Sequence, residues 1–182
     1  MQKIIIVPNL HLPNARFIEW AKELANNGPD VVVFEKQVLG LDWPEIKKEF
    51  EAFHDVHLER GKELYYLTEG WGMIPVLEAV ESSKVSGIFS LQPIVALPKK
   101  AKTHPMYDKS ANILHLIERT SAAVHLFIPE LGFENDYKKA LKHLKKMAKS
   151  NIGVKTYESP SLFNDTELDE IKNYILYNLG IR

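Results

Sequence analysis

Along the 182 residues, short apolar, β-branched runs recur between segments whose apolar residues fall every three or four positions. The runs predict strands near Ile4–Val7, Val31–Phe34, Leu64–Leu67, Gly87–Leu91, Val124–Ile128 and Val154–Tyr157. Each is nearly continuous in apolar or aromatic residues, as a strand covered on both faces requires. The intervening segments predict helices over Asn14–Ala25, Trp43–Arg60, Met73–Ser82, Asn112–Thr120, Asp136–Ser150 and Asp165–Leu179. In the first of these, Phe17, Ile18, Ala21, Leu24 and Ala25 share one face. Asn14 and Asp165 are the expected N-caps, and Asn27-Gly28 marks a helix stop.

Strands alternating with helices imply an α/β three-layer sandwich around a mostly parallel six-stranded sheet. The expected strand order is 2-1-3-4-5-6, in one domain spanning residues 1–182 with no repeat or linker. The one irregular stretch, Gln92–Lys109 with Pro93, Pro98 and Pro105, has the length of a functional cover or a mobile segment. Ligands of open α/β sheets bind beyond the carboxyl ends of the strands, where the order reverses. That switch falls between the strands ending at Val7 and Leu67, so the loops Pro8–Leu12 and Thr68–Gly72 face the crevice. Asn9, His11, Glu69, Gly70 and Trp71 are the expected pocket residues.

The segment Leu64-Tyr65-Tyr66-Leu67-Thr68-Glu69-Gly70-Trp71-Gly72, followed by the Met73 helix, has the layout of a nucleophile elbow: strand, tight turn with small residues, helix. Small residues flank such a turn because strand and helix backbones approach closely there. The helix start then offers N–H groups to a developing oxyanion. Gly72 fills the second small position and Thr68 the first, while Gly70 falls on the nucleophile itself.

Beyond this motif, the chain resembles the α/β-hydrolase superfamily over nearly its full length. It is most similar to the compact serine hydrolases of the retinoblastoma-binding-protein type. The resemblance runs through the opening strand and Pro8-Asn9-Leu10-His11, and the Phe17–Leu24 helix with Trp20. It continues through Leu41-Asp42-Trp43, the degenerate elbow and the strand Ser86–Leu91. It implies a minimal α/β-hydrolase fold, with an oxyanion hole involving Asn9 to His11. It also implies an acid after Val124–Ile128, where Glu130 and Glu134 stand, and a histidine within Glu158–Phe163. That stretch holds none, and the one histidine after His125 is His143, in a lysine-rich helix. Gly70 has no side chain to attack with, and a nucleophile within reach of a base is the core of this chemistry. The resemblance therefore implies fold and pocket without the mechanism.

Composition narrows the classes further. Formal net charge is -1 and the hydrophobic share 45%, an ordinary globular balance without the basic excess of a nucleic-acid binder. There is no cysteine, hence no disulfide frame or thiolate chemistry. No apolar run approaches the ~20 residues that span a bilayer, and the chain starts directly on Lys3–Val7. A cytoplasmic protein with no cofactor, no membrane and no nucleic-acid partner is expected. Ser90 and Ser161 are the serines near strand ends that could substitute as nucleophiles, though neither has an elbow. His54 and His57, three apart on a helix, could share a metal, but a solvated face explains the spacing better, and no metal is expected. Lys138, Lys139, Lys142, Lys145, Lys146 and Lys149 accompany Leu141, Leu144 and Ala148 as the solvated side of an amphipathic helix. Thr68–Gly72 matches neither G-x-G-x-x-G nor a P-loop.

The reading that follows is a hydrolase-fold protein that has lost serine-hydrolase activity and binds a small ligand or a protein partner in the vestigial pocket. One alternative is a hydrolase of an ester, thioester or amide, using water activated by Glu69, or by His11 with an acid such as Glu130. Another is a flavodoxin-like ligand-binding module of the same strand order.

Overall fold

A computed structural model describes residues 2–10, 13–36, 40–58, 61–80, 85–94, 113–129, 135–147, 151–159 and 162–181. Six parallel strands form one sheet: β1 (Gln2–Val7), β2 (Asp30–Val33), β3 (Glu63–Glu69), β4 (Gly87–Leu91), β5 (Ala123–Pro129) and β6 (Ile152–Tyr157). Their order is β2-β1-β3-β4-β5-β6, as expected from the sequence. The helices are α1 (Ala15–Lys22), α2 (Trp43–His57), α3 (Met73–Val80), α4 (Ile113–Arg119), α5 (Asn135–Met147) and α6 (Asp165–Asn178).

Alternation along each strand divides the core in two. Ile5, Val7, Tyr66, Ile88, Val124 and Leu126 pack under α2, α3, α4 and α5. Ile4, Ile6, Leu67, Phe89, Leu91 and Phe127 pack under α1 and α6. Each fully buried Ile, Leu or Phe in these layers is worth roughly 1.5–3 kcal/mol of transfer free energy. The two edge strands behave differently from the rest. All four residues of β2 and the middle four of β6 are only half-buried, because each edge has a neighbour on one side alone.

Helix ends follow local chemistry. Asn14 caps α1, its side chain accepting from the Phe17 N–H. The α-helix predicted to reach Ala25 stops at Lys22 and tightens into a 3-10 turn over Glu23–Asn27, ended by Gly28 at φ +112°. The cap of α6 is Asn164 rather than Asp165: Asn164 Oδ1 accepts from the Glu167 N–H at 2.9 Å and Glu167 Oε2 accepts from the Asn164 N–H at 2.9 Å. A residue with a reciprocal Glu three positions on forms two such bonds, which outweighs a carboxylate one position later. Asp42 and Glu45 form the same box at α2. Residues 58–60, 81–84 and 148–150, partly assigned to helices by the sequence pattern, lie beyond the helix ends or outside the described residues.

One reading of the polar residues is corrected. His54 is not on a solvated face: it is buried, with Nδ1 hydrogen-bonded to the hydroxyl of Tyr66. His57, one turn on, instead packs its ring on Phe53 at 4.5 Å. Among the described residues no group of three or more potential ligands could hold a metal. None of the described helices is long and apolar enough to cross a membrane.

Candidate functional site

β1 and β3 lie side by side with Val7 opposite Thr68, but their chains leave on opposite faces of the sheet, into α1 and α3. The crevice between these exits is the topological switch point. β3 runs two residues further than the apolar pattern suggested, taking in Thr68 and Glu69. Gly70–Gly72 then form a single 3-10 turn leading directly into α3. Gly70 has φ +54°, a left-handed conformation that side chains disfavour.

The two glycines of the turn are required for different reasons. A Cβ on Gly72 would stand 2.3 Å from the Val7 carbonyl oxygen and 2.7 Å from that of Pro8, so the turn passes directly over the end of β1. The nearest atoms to a Cβ on Gly70 would be those of the Asn9 side chain, with Cγ at 3.2 Å. The amide of Asn9 therefore sits against the place from which a nucleophile would project.

Pleat alternation sends the side chains before the turn to opposite faces. Thr68 is fully buried and donates from Oγ1 to Ser90 Oγ at 2.8 Å. Ser90 is itself fully buried in mid-sheet, paired with this hydroxyl and set in no elbow of its own. Glu69 points to the α1 side and is 7% exposed. Its Oε1 accepts from Asn14 Nδ2 at 2.8 Å. Burial raises the Glu69 pKa, and the hydrogen bonds from Asn14 and from the Asn9 backbone N–H work against that shift. The N-terminal end of α1 also favours the carboxylate, yet desolvation dominates. The side-chain oxygen of Asn9 is buried without a hydrogen-bond partner.

A small cleft opens beside Glu69, lined by Asn14, Phe17, Leu91, Phe163 and Leu168. Gln92 stands on its rim at φ +50°, alone among the described non-glycine residues in having a positive φ. Such strain persists where the surroundings over-determine it, often at functional sites. Arg16 also borders the cleft, its guanidinium bonded to Asp165 Oδ1 at 2.5 Å.

The sequence-derived residues are thus distributed unevenly. Asn9, Glu69 and Gly70 meet at the switch point. Trp71 is 7% exposed and packs with Leu10, Met73 and Ile74 on the α2–α5 side, across the sheet from the cleft at Glu69. His11, Glu130, Glu134 and Ser161 lie outside the described residues, as do residues 95–109 of the long irregular stretch. His125 sits mid-strand in β5, opposite Phe89 and Gly153, and bonds through Nδ1 to the Tyr174 hydroxyl at 2.9 Å. His143 is exposed on α5. Sequence reasoning marked Asn14 only as a helix cap. The cap is shared: its oxygen serves α1 and its nitrogen serves Glu69. Phe17, Leu91, Phe163 and Leu168 were legible only as core positions, because nothing in their spacing distinguishes a cleft wall from a packed interior.

Comparison with solved structures places this geometry. A soluble variant of monoglyceride lipase from Saccharomyces cerevisiae, in complex with a substrate analogue, matches with a TM-score of 0.78 at 12% identity. The match covers 98% of this chain and 86% of the lipase chain. Monoacylglycerol lipase from Paleococcus ferrophilus gives 0.71 at 11% identity, covering 97% and 93% of the two chains. Tomato methylketone synthase I, complexed with 2-tridecanone, gives 0.67 at 12% identity, covering 99% and 98%. No family model and no curated protein matches the sequence. At these identities the likeness is one of architecture, and the chain has the α/β-hydrolase fold.

Proposed function

We propose that this protein is an α/β-hydrolase-fold protein without serine-nucleophile chemistry. On this reading it holds a small ligand, or a partner, in the crevice between the β1–α1 connection and the Gly70 turn. The observation that carries the reading is Gly70 itself. It occupies the left-handed position between strand and helix, has no side chain, and has the Asn9 amide packed against it. Three of the described histidines support it: His54 is buried against Tyr66, His125 lies mid-sheet against Tyr174, and His143 is exposed on α5. The test is hydrolysis of p-nitrophenyl esters of short and medium chain length by the full chain. The expected result is a rate equal to buffer. Saturable turnover overturns the reading.

A second reading is favoured by one observation, the burial of Glu69. A carboxyl with a raised pKa is a candidate acid or base for water activation without a covalent step. Positioned general-base catalysis alone supplies about 10²–10⁴-fold, so the enzyme would be slow. Turnover lost in Glu69→Gln would establish it. Turnover unchanged in that variant would exclude it.

A further inference from the structure

On the α1–α6 face of the sheet, a row of stacked rings stops one strand short of the β6 edge. Tyr65 of β3 stacks on Phe89 of β4, with centroids 6.3 Å apart and planes inclined by 25°. Phe89 stacks in turn on His125 of β5, at 5.0 Å and 16°. A ring that lies parallel to Phe89 turns its second face toward the next strand, β6. The residue of β6 in register with His125 is Gly153, which has no side chain to cover that face. Gly153 is not among the glycines with positive φ, so its backbone conformation does not call for glycine. What the missing side chain provides is room. A Cβ there would stand 3.2 Å from His125 Nδ1 and 3.8 Å from the Tyr174 hydroxyl.

The imidazole is held in place from α6. The Tyr174 hydroxyl is bonded to His125 Nδ1 at 2.9 Å, and the Tyr174 ring meets His125 and Phe127 edge-on, with centroids 5.4 and 5.5 Å away. His125, Phe127, Gly153, Lys155 and Tyr174 line a half-open groove of about 220 Å³. An apolar cavity of about 150 Å³ holds one benzene ring, so the groove has room for a single ring with a small substituent. Lys155, the one charged residue of its lining, is bonded to Glu170. The rim therefore offers neither a free cation nor a free anion to a ligand.

We propose that this groove binds a small uncharged planar aromatic molecule, whose ring extends the Tyr65–Phe89–His125 row across Gly153. Aromatic rings pack offset or edge-to-face at centroid distances of about 4.5–7 Å, and the site supplies both modes, a flat face from His125 and an upright ring from Tyr174. The groove lies at β5 and β6, apart from the crevice at the Gly70 turn, and the proposal does not rest on the reading of that crevice.

The test is an NMR titration of the full-length chain with benzyl alcohol and cyclohexylmethanol, which share a hydroxymethyl group on a six-membered ring and differ in planarity. Benzyl alcohol is expected to shift the Gly153 amide and the His125 ring protons, and to saturate at about fivefold lower concentration than cyclohexylmethanol. Benzoate and benzylamine, which add a charge of either sign, are expected to bind no more tightly than benzyl alcohol. His125→Leu, which keeps an apolar wall without a flat face, is expected to erase the preference for the planar ring, and His125→Phe to retain it. Gly153→Ala leaves His125 and Tyr174 in the chain, so it tests the slot even where His125→Leu loosens α6; it is expected to weaken benzyl alcohol binding by about tenfold or more. Equal binding of the two alcohols, silence toward both, shifts centred away from β5 and β6, or tighter binding of a charged analogue overturns the proposal. So does a planar preference that survives His125→Leu, or an affinity unchanged in Gly153→Ala.

Discussion

The side-chain amide of Asn9 lies 3.2–3.5 Å from the point where Gly70 would carry a Cβ. A residue from the β1 exit is therefore fitted to the absence of a side chain at the β3 exit. The relationship predicts what restoring a hydroxyl would do. Gly70→Ser places a side chain at φ +54° and presses it on Asn9, at a cost of roughly 1–2 kcal/mol. Denaturant unfolding is expected to report that loss, and an ester assay of the same variant is expected to stay silent. A variant that hydrolyses esters would show that a base is already in place.

Gly72 is the less tolerant of the pair. Its missing Cβ would overlap backbone oxygens of Val7 and Pro8, which have no rotamer to escape into. Gly72→Ala is expected to cost about 3 kcal/mol or more, or to prevent folding. A thermal midpoint within a few degrees of wild type would show that α3 can move away from β1.

The buried histidines set a pH dependence. Burial lowers the pKa of both His54 and His125 from the ordinary 6.5. The unfolded chain then takes up protons first as pH falls, so stability declines below about pH 6.5 and is flat above it. Unfolding curves between pH 8 and 5 test this. His54→Gln and His125→Gln are each expected to reduce the slope, whatever they do to stability at pH 8.

Glu69 acts in the opposite sense. Its folded pKa is raised, so it stabilises the fold below the ordinary carboxyl pKa of 4.5. That contribution is lost as pH rises through the folded value. Glu69→Gln removes the titration while keeping an acceptor for Asn14. The thermal midpoint of the variant is expected to gain on wild type as pH rises from 4.5 to 8. A constant difference would mean that Glu69 titrates normally.

The architecture was legible because its signals are redundant. Six apolar runs separated by amphipathic segments leave little choice but a parallel sheet, and the glycine pair at 70 and 72 marked where strand turns into helix. What escaped was set by distant partners. His54 and His57 have the same local spacing as a solvated pair, and only Tyr66, 12 residues away, makes His54 a core residue. Glu69 reads as a polar residue beside a turn, because its burial comes with partners distant in sequence such as Asn14. Asn164 and Asp165 are both good caps on residue type, and the choice follows from the reciprocal bond with Glu167. Trp71 sits two positions after Glu69 in sequence yet packs on the opposite side of the sheet, a consequence of the turn geometry rather than of residue type.

The central claim is that no side chain of this protein serves as a hydrolase nucleophile. Incubating the wild-type chain with a reactive fluorophosphonate and reading its intact mass tests that most directly. The account predicts an unchanged mass at concentrations that fully label an active serine hydrolase. A single stoichiometric adduct would contradict it and, once mapped, would identify the nucleophile.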